Sequence, residues 1–281
     1  MTISLQSFLE KHDTIIRVEL MDLKGSSPRE IGATIFVTES AIHGTIGGGQ
    51  LEYIAIDEAR RMLRLRQGVK NLSVPLGPEI GQCCGGVVAL HFSLMDHRAK
   101  RLAIGREDRE IATRPNVYIF GAGHVGRALA SNLRLLPVHA IVVDSREEEL
   151  ALCDPVVEQR CTPLPEQDVR TAPPGSAFVI LTHDHALDFL LAREALSRAD
   201  AAYVGMIGSK SKRGTFKHWL SGEEGKDAPA LYERLTCPIG GSASRDKRPA
   251  VIAALTVAEV MLALETAHAS YQLSHQRTGG R

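Results

Sequence analysis

Two adjacent cysteines in a glycine-rich loop, Gly81-Gln82-Cys83-Cys84-Gly85-Gly86, are the residues of this 281-residue chain best suited to soft-metal or sulfur chemistry. Small neighbours leave backbone and thiols accessible, so Cys83 and Cys84 as thiolates could ligate a transition metal or carry a sulfane sulfur. The alternative without chemistry is a pair of small packing residues in a turn. Two other glycine loops, Gly25 to Arg29 and Gly44 to Gly49, could present N–H nests to anions, although glycine turns in a small sheet domain need no ligand.

A second kind of chemistry is phosphate binding. Gly121-Ala122-Gly123-His124-Val125-Gly126 is a GxGxxG motif between the apolar run Val117 to Phe120 and a helical pattern. In such a loop the first glycine makes the turn, the second lets backbone approach a phosphate and the third lets helix and strand pack closely. The helix N-terminus adds free N–H groups and a positive dipole end. Gly121, Gly123, His124 and Gly126 are therefore candidate binders of a dinucleotide or another phosphorylated compound. Asp144, 23 residues after Gly121, stands where a Rossmann domain places its ribose-binding carboxylate. Gly205 to Arg213 ends another strand and opens a helix, with Ser209 as N-cap and Lys210, Lys212 and Arg213 at the same end. Cations there are disfavoured unless an anion answers them, which makes Ser209 and Lys210 further candidates. Thr182-His183-Asp184-His185 follows a strand and offers His-x-His to a metal without an evident third ligand; a polar turn starting a helix is the simpler explanation. Cys153, Cys161 and the Cys237-Pro238-Ile239-Gly240 turn carry no clear chemistry.

The elements that position these residues follow from periodicity. Thr14 to Leu23, Ala33 to Thr38 and Val87 to Leu94 read as strands and Leu51 to Gln67 as an amphipathic helix. From Val117 onward, continuous apolar strands (Val117 to Gly121, Ala140 to Asp144, Ala177 to Thr182, Ala202 to Ile207) alternate with helices at Val125 to Leu136, Ala186 to Ala199 and Ser209 to Leu220, before a long apolar helix, Lys247 to Ala267. That grammar predicts a parallel sheet covered on both faces. The expected fold is α/β: a C-terminal Rossmann-like doubly wound domain, residues 113–281, preceded by a smaller α+β domain, residues 1–112, with a charged stretch, Arg98 to Arg114, at the join.

Lys plus Arg equals Asp plus Glu at 33 each, so no overall field favours nucleic acid or an acidic membrane, and any anion must be held locally. The N-terminus lacks a secretory pattern, and no run of about 18 apolar residues suggests a membrane span. Five cysteines without CxxC pairs fit reduced thiols in the cytoplasm rather than a disulfide framework.

Taken together, Lys24 to Arg29, Gly44 to Glu52, Gly77 to Gly86, Phe120 to Gly126, Thr182 to Asp188, Tyr203 to Arg213 and Cys237 to Gly240 resemble the XdhC/CoxI family of xanthine dehydrogenase accessory proteins. GxGxxG alone is common, whereas GPEIGQCCGG, YVGMIGSKSKR and CPIG in this order are specific. The resemblance implies a cytoplasmic chaperone without turnover of its own. Such a protein binds molybdenum-molybdopterin while a cysteine desulfurase supplies the sulfido ligand, then passes it to the molybdenum subunit of xanthine dehydrogenase. It maps the family's cysteine motif onto Cys83 and Cys84 and its glycine loop onto Gly121, Gly123 and Gly126. The chain departs from the family after Gly240, where Gly241 to Asp246 intervenes, and no ligand role is carried to that loop. A cleft with Cys83-Cys84 over the Rossmann carboxyl edge would suit this cargo, and a second copy of the chain is a further candidate partner. The rivals are an NAD(P)-dependent oxidoreductase using His183 or His185 as acid or base, and a nucleotide-binding module indifferent to Cys83.

Overall fold

The computed structural model describes residues 3–26, 29–77, 86–241, 244 and 246–278, with side chains described as far as residue 269. Two compact units form, Met1–Ala112 and Thr113–Arg281.

In the first unit, β1 (Ile16–Lys24), β2 (Thr34–Val37), β3 (Ile42–Gly44), β4 (Val69–Leu76) and β5 (Gly86–Leu94) form one antiparallel sheet in the order β3-β2-β1-β5-β4. Alternation decides its faces. Val18, Leu20, Ile35 and Leu90 pack with Leu51, Ala55, Ala59 and Met62 of α2 (Gly49–Leu65), while Phe36 points the other way and joins Leu5, Phe8 and Leu9 of α1 (Leu5–Lys11). The charged stretch before the second unit is itself a helix, α3 (His97–Ala112). Its only buried residue is Ala103, which explains why no apolar period announces it.

The second unit carries six parallel strands, β6 (Asn116–Phe120), β7 (His139–Asp144), β8 (Glu158–Cys161), β9 (Ala177–Ile180), β10 (Tyr203–Met206) and β11 (Leu235–Thr236), ordered β11-β10-β9-β6-β7-β8. This is the doubly wound Rossmann order, in which the chain reverses direction of winding between β6 and β9. Odd positions of β6, Val117 and Ile119, join α4 (His124–Leu133) and α10 (Pro249–Thr278); even positions, Tyr118 and Phe120, stack with Phe178 on the face of α7 (His185–Ser197) and α8 (Lys210–Glu224). Burial on both faces is why β6, β7, β9 and β10 read as unbroken apolar runs, whereas the edge strand β8 is polar and only partly buried. The short elements α5 (Glu147–Leu150), α6 (Glu166–Thr171) and α9 (Ala228–Glu233) complete the unit.

By length and composition the Pro249–Ala269 part of α10 could cross a membrane, because many alanines among its larger apolar residues dilute only two glutamates. One face of that helix nevertheless lies in the core, through Ala253, Val260 and Leu264.

Candidate functional site

Every strand of a parallel sheet delivers its following loop to the same edge. The glycine loop after β6, the Thr182-His183-Asp184-His185 turn after β9, the basic turn after β10 and Cys237 after β11 therefore all lie at the carboxyl edge, with Gly121 to Gly126 and Thr182 flanking the switch point. Asp144 closes β7 beside the glycine loop, whereas Ser209 and Lys210 follow β10, on the far side of β9.

Two of the three glycines answer to the protein itself. Gly121 has φ +119°, and a Cβ there would overlap the Leu181 carbonyl. At Gly126 a Cβ would fall on the Gly121 carbonyl oxygen, so the third glycine lets α4 dock against the turn. Gly126→Ala is expected to cost about 3 kcal/mol by forced overpacking, measured by urea unfolding; an unchanged midpoint would refute the tight docking. Gly123 is different. It is the N-cap of α4 with φ −67° and no side-chain cap, and a Cβ built on it meets nothing within 4 Å. No contact among the described residues demands a glycine there. His124, the first residue of α4, is exposed.

Asp144 is buried and fully engaged. Its Oδ2 accepts from the Ala122 N–H at 2.7 Å and from Arg146 Nη2 at 2.9 Å; its Oδ1 accepts from the Arg146 N–H and Nε, both at 3.0 Å. Burial alone would raise this carboxyl, but the Arg146 guanidinium and the two backbone donors together hold it below its ordinary value. A depressed pKa means its contribution to folding is complete above the usual aspartate value of about 3.9 and is lost as pH falls through the lower folded value. The carboxylate placed for a ribose thus already has a resident cation. Beside it a small cleft is lined by Gly121, Val143, Asp144, Pro163, Thr182 and His183, among others.

The basic turn after β10 is corrected in one respect. Ser209 caps α8, accepting from the Lys212 N–H at 3.2 Å, but the cations are answered mostly from within. The Lys212 ammonium is paired with Asp188 Oδ2, and the Arg213 guanidinium lies 5.2 Å from the Tyr232 ring centroid. Lys210 remains exposed at the first position of α8. Asp188 is completely buried in α7, and its Oδ1 accepts from the Thr182 N–H at 2.9 Å and hydroxyl at 2.8 Å. This tie from β9 through α7 to α8 was not anticipated; the hint was an aspartate within an otherwise apolar helical segment.

His183 and His185 are exposed, and Asp184 between them caps α7 by accepting from the Ala186 N–H at 2.8 Å. Among the described residues no group of three His, Cys, Asp or Glu side chains could hold a metal. Cys237 is buried; burial pushes its thiol up, against the pull of Lys212 and Arg213. Cys153 is buried and likewise raised, whereas Cys161 is exposed. In native protein treated with iodoacetamide, Cys161 should therefore be alkylated long before Cys153 and Cys237, as read by peptide mass spectrometry. Equal labelling of Cys237 would contradict its burial.

In the first unit, Cys83 and Cys84 lie outside the described residues, as do residues 27 and 28 of the Gly25 to Arg29 turn. The Gly44 to Gly49 loop is a nest with its own anion. Glu52 Oε2 accepts from the Ile46 N–H at 3.0 Å, the Gly48 N–H at 3.2 Å and the Thr45 hydroxyl at 2.5 Å. An external anion is not needed to organise this loop.

Comparison with known proteins agrees with this two-part architecture. Residues 8–72 match the model of the XdhC and CoxI family, and residues 117–260 match that of the XdhC Rossmann domain. The chain belongs to the XdhC/CoxI family. This family member is 26% identical over 264 residues to YqeB of Escherichia coli K12, a protein described as uncharacterized; the match covers 90% of this chain and 44% of YqeB. The chain thus spans less than half the length of that curated relative. In fold, the XdhC/CoxI chain is similar to a solved structure described as a xanthine dehydrogenase from Bacillus halodurans, with a TM-score of 0.77, 17% identity, and coverage of 94% and 96% of the two chains.

Proposed function

We propose that this chain is a molybdenum-cofactor chaperone of xanthine dehydrogenase maturation: it holds molybdenum-molybdopterin during sulfuration and hands it to the apo-hydroxylase. The carrying observation is membership of the XdhC/CoxI family across both units, 8–72 and 117–260. The open space at Gly123, before the first turn of α4, supports it, because the pterin's phosphate needs N–H donors at a helix N-terminus and no side chain in the way. In this reading Cys83 and Cys84 serve the metal or sulfur end of the cargo, with a cysteine desulfurase and the molybdenum subunit of xanthine dehydrogenase as successive partners in the cytoplasm. The chain's own work is to bind, orient and shield, with no turnover.

The chief rival, an NAD(P)-dependent oxidoreductase, is disfavoured by Asp144. A ribose diol would have to displace Arg146 from a carboxylate it already holds through two guanidinium nitrogens. Anaerobic equilibrium binding of molybdenum-molybdopterin to wild type and to Cys83→Ala, with NAD as competitor, tests the proposal. Binding that weakens about tenfold, or 1.4 kcal/mol, in the variant and ignores NAD is the expected result. Binding of NAD with none of the pterin would overturn the proposal.

A further inference from the structure

Helix α10 is apolar on two opposite sides, and among the described residues only one of them is covered. Ala253, Thr256, Val260 and Leu264 are buried. Half a turn away, at about 100° per residue, runs a second stripe: Arg248, Val251, Leu255, Ala258, Leu262 and Glu265, spaced 3, 4, 3, 4 and 3 residues apart. Val251 is partly exposed, and Leu262 is 65% exposed. A 3-4 alternation of apolar residues is the seam of a helix pair, and a helix apolar on both sides calls for cover on both.

We infer that this outward stripe seats a second copy of the chain, the two α10 helices pairing antiparallel about a two-fold axis. The charges choose the orientation. The apolar stretch is bounded by a cation at one end and an anion at the other. Parallel pairing would set Arg248 against Arg248 and Glu265 against Glu265. Antiparallel pairing sets Arg248 against Glu265 of the second copy, Val251 against its Leu262 and Leu255 against its Ala258, so that every stripe position meets a stripe position. Arg248 already holds Asp246 at 2.6 Å, yet its side chain is 78% exposed and can reach a further carboxylate. The two-fold makes the patch self-complementary, as an isologous interface requires. Spanning a membrane would instead tear the buried face of α10 from the Rossmann core.

Sedimentation equilibrium of the full chain tests this, with circular dichroism to confirm folding. Wild type should be a dimer, and Leu262→Arg, which places a cation in the seam of both copies, should abolish it. Glu265→Arg should raise the dissociation constant about tenfold by setting like charges opposite one another. The double variant Arg248→Glu/Glu265→Arg should restore it to within about threefold. The exposed charge variants carry the test even where Leu262→Arg misfolds. A wild type monomeric at every concentration overturns the inference, as does a dimer indifferent to Leu262→Arg or a double variant that fails to rescue. A monomer that floats with phosphatidylcholine/phosphatidylglycerol vesicles overturns it as well, by making a membrane surface the occupant.

Discussion

Asp188→Ala is expected to destabilise the Rossmann unit by about 3–5 kcal/mol, because it leaves the Lys212 ammonium in the interior without its counter-charge. Asp188 is completely buried and the Lys212 side chain only 11% exposed, so water cannot replace the lost carboxylate. The Thr182 N–H and hydroxyl lose an acceptor in the same stroke. In thermal unfolding the midpoint should fall by roughly 10 °C. Removing both charges should be far milder: Asp188→Leu with Lys212→Met substitutes apolar bulk for the pair, and such replacements are often neutral. A double variant as unstable as Asp188→Ala would show that the Thr182 bonds, rather than the ion pair, hold the β9 turn. A single variant within about 1 kcal/mol of wild type would refute the tie altogether.

Gly123→Asp should separate folding from binding. The backbone at Gly123 is extended, with negative φ, and the position caps α4 without a side-chain hydrogen bond. Aspartate is a preferred N-cap, so the variant should be as stable as wild type or more so, by about 1 kcal/mol. The same carboxylate would occupy the N–H groups meant for a phosphate and repel it. Affinity for molybdenum-molybdopterin should drop on the order of 100-fold, since like charges in close apposition cost several kcal/mol. Stability and affinity measured on the same preparations decide the matter. An unchanged affinity would place the pterin phosphate elsewhere on the molecule.

Much of the fold was legible because its signals are local. The unbroken apolar strands from Val117 onward, the helices between them and the glycine loop ahead of α4 identify a parallel, doubly wound sheet without any long-range information, and the ordered set of cysteine, glycine and basic motifs identifies the family. What escaped depends on residues distant in sequence, on pattern diluted by charge, or on a side-chain conformation that spacing does not encode. Helix α3 buries little beyond Ala103, so its period is nearly invisible. The Gly205 to Arg213 turn read as a cluster of unanswered cations because the answering carboxylate, Asp188, stands 24 residues before Lys212. Asp144 read as a free acceptor because nothing in its position reveals that Arg146 folds back on it. For Asp144 and for the basic turn alike, the sequence exposes a charge but not the partner that answers it in the folded chain.

The Gly44 to Gly49 loop carries a consequence of the same kind. Its guest, the Glu52 carboxylate, is tethered to its host, so it competes with any dissolved anion at an effective concentration in the millimolar range or above. Free phosphate or sulfate would have to evict a captive rival before gaining a single hydrogen bond. The loop is thus a lock supplied with its key already turned: a corner ahead of α2 whose N–H groups are met by a carboxylate from the helix that follows.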